Sequence, residues 1–170
     1  MVIFITGATH CGKTALAQRI LEKRFYPYLS LDHLKMGLIR SGNTTLTVED
    51  DEALTAYLWP IAAEIAKTAV ENGQNLVIEG CYVPPCWQES FGADYLAHIR
   101  MIALAFSDDY VFTHYGDILR HANDVERRLD DGYATKELLL RENRRCREDF
   151  APWLVLITGD YEKTVRELLR

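Results

Sequence analysis

Gly7-Ala8-Thr9-His10-Cys11-Gly12-Lys13-Thr14 is the stretch that decides the fold. Its spacing fits the pattern G-x-x-x-x-G-K-[ST], which is typical of a loop that binds phosphate groups. The two glycines let the backbone turn so tightly that successive N–H groups point inward at an anion. Lys13 adds a positive charge for the β- and γ-phosphates, and the Thr14 hydroxyl suits Mg²⁺. The stretch therefore predicts a site for a nucleotide phosphate with its magnesium ion.

The sequence on either side of this loop supplies the strand and the helix that the loop requires. Residues 2–6 are a run of β-branched and aromatic residues, which predicts a buried strand. Residues 15–21 predict a helix with Leu16 and Ile20 on one face, whose amino end adds a positive dipole at the loop. A glycine-rich turn with no ligand is the alternative, and the order strand, loop, helix disfavours it.

Composition indicates a globular chain and limits its partners. Of 170 residues, 48% are apolar and 26% charged, and no apolar run approaches the roughly 20 residues that span a bilayer. The start of the chain lacks the features of a secretion signal, so we expect a cytoplasmic protein without a membrane partner.

A net charge of −6 argues against a nucleic-acid surface. The four cysteines include no C-x-x-C pair, which favours reduced thiols, with Cys11 a small residue at a variable loop position. Monomer and homodimer both remain open.

The rest of the chain alternates between apolar strands and helices. Strands are predicted at residues 25–31, 75–80, 99–106 and 153–158, and helices at 33–40, 48–72 and 161–170. Residues 108–150 are predicted to be mainly helical with a break at 130–132. On the long helix the expected core stripe is Leu54, Leu58, Ile61, Ile65 and Ala69, and Pro60 is expected to kink or divide it. Apolar strands between helices predict an α/β domain over residues 1–170, with a parallel sheet covered on both faces.

Two acids follow strands of this sheet, and ligands of such folds bind beyond the carboxyl ends of the strands. Asp32 is a candidate base for an attacking hydroxyl or a ligand of metal-bound water, and a helix N-cap is the alternative. Glu79 is a candidate ligand for Mg²⁺ or its water, and a simple ion pair is the alternative.

Arginines concentrate late in the chain, where phosphoryl transfer needs cations on the moving group. We expect the nucleotide to contact Arg120, Arg127 and Arg144, and the transferred group to meet Arg128 and Arg141. The alternative is an exposed helical face with weak ion pairs. Acceptor-pocket and core roles both stay open for the aromatic residues Tyr57, Trp59, Tyr82 and Trp87.

With these residues in view, the chain resembles the P-loop small-molecule kinases, which include adenylate, shikimate and gluconate kinases. The matches are the loop at 7–14 and residues 30–35, 77–80 and 157–160. The resemblance implies a three-layer α/β fold with a five-stranded parallel sheet in the order 2-3-1-4-5. It also implies a substrate-binding helical region at about 33–72, a lid at about 120–145, and use of ATP with Mg²⁺.

Two departures narrow this resemblance. Lys35 stands where nucleoside-monophosphate kinases carry an arginine, and no arginine follows Glu79 within residues 80–84. The segment at 77–84 is similar to 2-phosphoglycerate kinase-like proteins, and the acid at Asp32 is similar to the base of zeta-toxin-like kinases. We therefore expect an ATP:Mg²⁺-dependent kinase for a hydroxyl of a small metabolite, with Lys13 and Asp32 in catalysis. A nucleoside or nucleotide monophosphate kinase and a non-catalytic ATP-binding regulatory module are the alternatives.

Overall fold

A computed structural model describes residues 1–121, 124–125 and 134–169. Across these residues five parallel strands form one sheet, flanked by helices, in the order β2-β3-β1-β4-β5, which confirms the predicted fold and strand order. The strands are β1 (Val2–Gly7), β2 (Tyr28–Ser30), β3 (Leu76–Glu79), β4 (Ile99–Phe106) and β5 (Leu154–Ile157). The α-helices are α1 (Lys13–Arg24), α2 (Leu31–Arg40), α3 (Asp51–Glu71), α4 (Ala93–Leu96), α5 (Asp108–His121), α6 (Lys136–Asp149) and α7 (Tyr161–Leu168).

The described chain forms two compact units. Unit 1 comprises Met1–Thr6 and Tyr26–Met101, and so contains β2, α2, α3 and β3. Unit 2 comprises Gly7–Phe25 and the described residues from Ile102 onward, and so contains the glycine-rich loop and α1. None of the helices in the described ranges is both long enough and apolar enough to cross a membrane.

An aromatic cluster forms part of the core of unit 1. The ring of Phe4 on β1 lies 5.3 Å from Trp59, 6.3 Å from Trp87 and 6.0 Å from Phe91, all between centroids. Trp59 and Trp87 are almost fully buried in this cluster. Core packing is therefore the role of these two tryptophans, since large apolar rings are the main contributors to such a core.

Helix α3 runs without interruption through Pro60, so the proline does not divide it. The predicted stripe is buried at Leu54, Leu58 and Ala69 but is wrong at Ile61 and Ile65, which are only partly buried. The face that packs inward carries Trp59 and the alanines at 62, 63 and 66 instead. A bulky indole followed by small side chains packs this helix closely, which leaves the isoleucines at the margin.

Strand β2 is shorter than predicted, and α2 begins earlier. Phe25 caps α1 in the left-handed conformation, with φ 57°, and Pro27 precedes the strand. Proline donates no ladder hydrogen bond and restrains the residue before it, which delays the strand to Tyr28. Because α2 starts at Leu31, Asp32 lies in its first turn rather than before it. Ser30 occupies the N-cap position, so the alternative of Asp32 as N-cap is wrong.

Unit 2 pairs β4 with β5 in parallel, with Ala103 opposite Leu154 and Phe106 opposite Ile157. Helix α1 buries Leu16 and Ile20 as predicted. The helical segment predicted after β4 is observed as α5 and α6. The predicted break at 130–132 lies outside the described residues.

Candidate active site

The loop at 7–14 has the backbone conformation that its glycines predict. Gly7 has φ +143° and Gly12 has φ +84°, values that side chains with a Cβ rarely adopt. A Cβ on Gly7 would lie 2.2 Å from the Leu104 carbonyl oxygen, and one on Gly12 would lie 2.2 Å from the Tyr161 hydroxyl. A side chain at Gly7 would therefore collide with the backbone of β4, and one at Gly12 would require the Tyr161 side chain to move. The loop at 7–14 therefore forms a cradle within unit 2.

The cradle is also fixed from outside. The Ala8 N–H donates to the Leu104 carbonyl at 3.1 Å, which ties the loop to β4. The Tyr161 hydroxyl donates to the Gly12 carbonyl at 3.2 Å, and burial raises the pKa of this phenol, so it remains a neutral donor. His10 adopts a left-handed φ of 61°, and its Nδ1 lies 2.9 Å from the Thr9 hydroxyl. These contacts hold the loop in one shape before a ligand arrives.

Lys13 is the first residue of α1, and its ammonium reaches back over the loop. Nζ donates to the carbonyl oxygens of Ala8 at 2.8 Å and Gly7 at 3.3 Å. Thr14 follows in the first turn of α1 and is half-buried. That turn holds no acidic residue, and Gly12 provides no side-chain cap. The positive end of the helix dipole therefore adds to the Lys13 charge at the loop.

Cys11 is fully buried, in accord with a small packing residue at a variable loop position. Cys146 on α6 is also buried, and burial raises the pKa of its thiol to about 12. Thiols with a raised pKa carry little thiolate at neutral pH and are inert. All four cysteines are thiols rather than disulfides, as predicted.

Asp32 belongs to a polar network in unit 1 that the sequence did not reveal. The Lys35 ammonium donates to Asp32 Oδ1 at 2.7 Å and to the Tyr82 hydroxyl at 2.8 Å. The Tyr82 hydroxyl in turn donates to Asp51 Oδ1 at 3.4 Å. Burial, together with the negative charges of Asp32 and Asp51, raises the pKa of Tyr82, which keeps its proton for that bond. The only sequence signal for this network was the i,i+3 spacing of Asp32 and Lys35 on one helix.

Glu79 ends β3 and is 1% exposed. It lies opposite Ile5 on one side and Ser30 on the other, so the three side chains project from the same face of the sheet. Ser30 is also buried, and its hydroxyl has no hydrogen-bond partner within the described ranges. A carboxylate buried this deeply is retained where it meets a cation, a donor or a metal.

These oxygen donors fit Mg²⁺ as it binds in nucleotide sites. Magnesium takes one or two protein oxygens and completes its octahedron with phosphates and water. Thr14 offers a hydroxyl and Glu79 a buried carboxylate. The described residues contain no group of three or more histidine, cysteine and acidic side chains that would form an all-protein metal cage. Each of these two residues therefore carries an oxygen donor of the kind that Mg²⁺ prefers.

Two of the three candidate arginines in the described ranges pair with acids on their own helices. Arg120 pairs with Asp117 at 2.9 Å, and Arg141 pairs with Glu142 at 3.4 Å. Both guanidinium side chains are at least 70% exposed, so these pairs are weak. Arg127 and Arg128 lie outside the described residues. The roles expected of these four arginines remain predictions.

Arg144 is held differently, because it pairs with Asp108 at 2.6 Å across two helices. Arg147, which the sequence analysis did not select, also donates to Asp108, at 2.7 Å. The hydrogen bond from Arg144, with that from Arg147, lowers the pKa of the Asp108 carboxyl. Asp108 opens α5 just after β4, so this cluster joins α6 to the carboxyl end of that strand.

No protein-family model and no curated protein matches the sequence. Solved structures do match it along nearly its whole length. A provisionally assigned kinase from Chloroflexus aurantiacus j-10-fl is 20% identical, with 99% of this chain and 94% of that chain covered and a TM-score of 0.59. The shikimate kinase from Bacteroides thetaiotaomicron is also 20% identical, with 99% and 96% covered and a TM-score of 0.56. A gluconokinase from Sinorhizobium meliloti 1021 is 17% identical, with 99% and 89% covered and a TM-score of 0.54.

This chain has the fold of the P-loop small-molecule kinases. The resemblance drawn from residues 7–14, 30–35, 77–80 and 157–160 is thereby confirmed at the level of the fold. The neighbours differ in the acceptors that their names state, and functions differ widely within one fold. The shared fold therefore does not by itself assign a reaction to this chain.

Proposed function

We propose that this protein is an ATP- and Mg²⁺-dependent kinase that transfers the γ-phosphoryl group to a hydroxyl of a small metabolite. The observation that carries the proposal is the glycine cradle with Lys13 above it. A Cβ at Gly7 or Gly12 would lie 2.2 Å from another atom, and the Lys13 ammonium lies 2.8 Å from a loop carbonyl. Such a cradle presents backbone N–H groups and one cation to a phosphate chain. The reduced thiols fit the cytoplasm, where we place this activity.

The nucleotide would bind through residues 7–14. The backbone N–H groups of Gly7, Ala8, Thr9, His10, Cys11, Gly12, Lys13 and Thr14 would surround the phosphate oxygens. Lys13 would exchange the loop carbonyls for the β- and γ-phosphates. Thr14 and Glu79 would hold the magnesium ion, which when bound neutralises charge on the β- and γ-phosphate oxygens. A hydroxyl and a carboxylate are the oxygen donors that Mg²⁺ prefers, which supports this assignment.

Asp32 would act on the acceptor. One of its carboxylate oxygens receives the Lys35 bond, and the side chain is 46% exposed, so the second oxygen can accept a proton from a hydroxyl. The acceptor oxygen would form a bond to the γ-phosphorus while the bond to the bridging oxygen breaks, which releases ADP. Arg120, Arg127 and Arg144 would neutralise the nucleotide, and Arg128 and Arg141 the moving phosphoryl group. Their exclusion of water would favour transfer over hydrolysis.

The charge of unit 1 favours a metabolite over a nucleoside monophosphate as acceptor. Its sequence contains ten acids but only four lysine and arginine residues. Lys35, which stands where nucleoside-monophosphate kinases carry an arginine, already bonds to Asp32 and Tyr82. An acceptor that already carries a phosphate would meet more negative than positive charge here.

A metabolite-library screen for ATP-dependent mass gain of one phosphoryl group tests the proposal. We expect product with the native protein and almost none with Lys13→Ala. Asp32→Asn should lower transfer strongly with little change in the dissociation constant for ATP. Asp94→Asn is the matched control, since Asp94 is an exposed acid at the second position of α4. Product from nucleosides or monophosphates alone would favour the nucleotide-kinase alternative. ATP binding without product from any compound would favour a regulatory module.

A further inference from the structure

Lys35 is the centre of a network that joins three parts of unit 1. Its ammonium donates to Asp32 on the same helix and to Tyr82 in the segment after β3. Tyr82 donates to Asp51, the first residue of α3. The Lys35 nitrogen also lies 4.9 Å from the centroid of the Tyr82 ring. One cation therefore connects α2, the segment after β3 and the start of α3.

This arrangement differs from an ordinary surface ion pair. The Lys35 side chain is 13% exposed and Tyr82 is 3% exposed, so the ammonium is confined rather than free in water. Exposed pairs at i,i+3 contribute only about 0–1 kcal/mol because the side chains move and water screens them. Here the buried phenol fixes the ammonium, and the ammonium then fixes one oxygen of the carboxylate.

The fixed carboxylate is asymmetric. Asp32 Oδ1 accepts the Lys35 bond, whereas Oδ2 makes no hydrogen bond with any residue in the described ranges. A carboxylate without Lys35 would rotate in solvent, since its side chain is 46% exposed. A general base must hold one oxygen within about 2.6–3.2 Å of the proton that it takes.

We propose that Lys35, anchored by Tyr82 and Asp51, is a positioning residue that holds Asp32 Oδ1 so that Oδ2 receives the acceptor proton. This role rests on the proposed kinase function and adds to it a residue that acts through the base. The proton moves from the acceptor hydroxyl to Oδ2, while Lys35 stays bound to Oδ1. Tyr82 keeps the ammonium from turning away from the carboxylate.

Lys35→Met tests the proposal, with ADP release measured at saturating ATP and Mg²⁺. The acceptors are water and the compound that gains phosphate fastest in the library screen. We expect kcat to fall about 10- to 100-fold, because small misplacements of a catalytic group have effects of that size. The dissociation constant for ATP should stay within about twofold. Unchanged kcat in a folded Lys35→Met protein would overturn the proposal.

Lys67→Met is the matched control. Lys67 also pairs with an acid three residues earlier, Glu64 at 2.7 Å, and lies 5.9 Å from the ring centroid of Phe91. It shares the local chemistry of Lys35 but has no contact with Asp32 among the described interactions of these residues. Its loss should leave kcat unchanged. An equal loss of kcat in both variants would assign the effect to general stability and contradict the proposal.

Two further measurements separate positioning from folding. Ethylammonium added to Lys35→Ala should restore part of kcat, since a free amine can bind Asp32 in place of the lost side chain. Tyr82→Phe, which keeps the ring but removes the anchor, should lower kcat less than Lys35→Met. If ethylammonium restores no activity to Lys35→Ala and Tyr82→Phe keeps full activity, the proposal is contradicted. The Tyr82→Phe result applies even where a Lys35 variant folds poorly.

Asp32→Asn distinguishes this inference from the function on which it rests. In that background Lys35→Met should cause no further loss, because residues that act as a unit are not additive. If Asp32→Asn abolishes transfer but Lys35→Met does not, only the positioning role fails. If Asp32→Asn retains full transfer, the base assigned under the proposed function fails as well.

Discussion

Asn143 on α6 accepts a hydrogen bond at Oδ1 from the backbone N–H of Phe106, the last residue of β4, at 2.6 Å. The same side chain donates from Nδ2 to the Leu139 carbonyl at 2.7 Å. Asn143 is completely buried, so its amide satisfies polar groups that water does not reach. This amide therefore fixes α6 to the carboxyl end of β4, an interior strand of the sheet.

Replacing this amide should lower the stability of the folded protein. Asn143→Leu keeps the volume but leaves the Phe106 N–H without its acceptor, and an orphaned buried group costs about 1–3 kcal/mol. We expect the free energy of unfolding to fall by that amount in urea titrations. Asn72→Leu, at the exposed end of α3, is the control and should change it by about 0.5 kcal/mol or less. Equal effects at both sites would contradict this role.

The link between Asp108 and α6 should depend on pH. Because hydrogen bonds from Arg144 and Arg147 lower its pKa in the folded state, Asp108 adds stability above its unfolded pKa of about 3.9. That stability is lost as the pH falls through the lower folded-state value. Asp108→Asn should thus be less stable than the native protein at pH 7, and the difference should vanish in strong acid.

Thermal unfolding from pH 7 to pH 2 checks this dependence. Asp109→Asn removes an exposed acid from the same helical turn and measures the effect of charge alone. A native-minus-variant difference that stays constant down to pH 2 would show that the Asp108 pairs do not stabilise the fold.

Replacing Phe25 with glycine should stabilise the protein. It caps α1 at φ 57° although its side chain is 84% exposed, so it has the left-handed strain without the benefit of burial. Phe25→Gly should raise stability by about 1 kcal/mol, or the melting temperature by about 2–4 °C. Phe25→Ala removes the ring but keeps the strain. If alanine gave the same gain as glycine, the exposed ring rather than the backbone would be the cause.

Gly12→Ala should disturb the loop at 7–14, because the new Cβ would collide with Tyr161. A second substitution that shortens Tyr161 should relieve part of this effect. The new Cβ would lie 2.2 Å from the Tyr161 hydroxyl and 2.8 Å from its ring carbon Cζ. Forced overpacking costs about 1–3 kcal/mol, and we expect ATP affinity to fall as the cradle shifts. Adding Tyr161→Ala should recover part of the affinity, although the strain at φ +84° remains.

Calorimetric titration of ATP against the single and double variants measures this recovery. Gly159→Ala is the control, since a Cβ there meets no atom within 4 Å and its φ is not left-handed. A double variant that binds no better than Gly12→Ala would assign the defect to backbone strain alone.

The features that could be predicted from the sequence depend on neighbours along the chain. The loop at 7–14 requires glycine at two positions whatever surrounds it, and β4 was predicted at its observed bounds because seven of its eight residues are apolar, Arg100 being the exception. The start of α2 was misplaced because Leu31 suits a strand and a helix equally by composition. On α3 the apolar pattern allowed two overlapping faces, and only the packing of Trp59 and the small alanines selected one.

Sequence alone thus determined the glycine-rich loop, the alternation of strands and helices, and, through resemblance, the order of the sheet. Only the tertiary structure decided that Lys35 meets Tyr82, 47 residues away, and that Asp108 meets Arg144, 36 residues away. The physical reason is one of range. Backbone conformation and apolar periodicity follow from adjacent residues, whereas the partner of a charged side chain depends on which surfaces folding brings together.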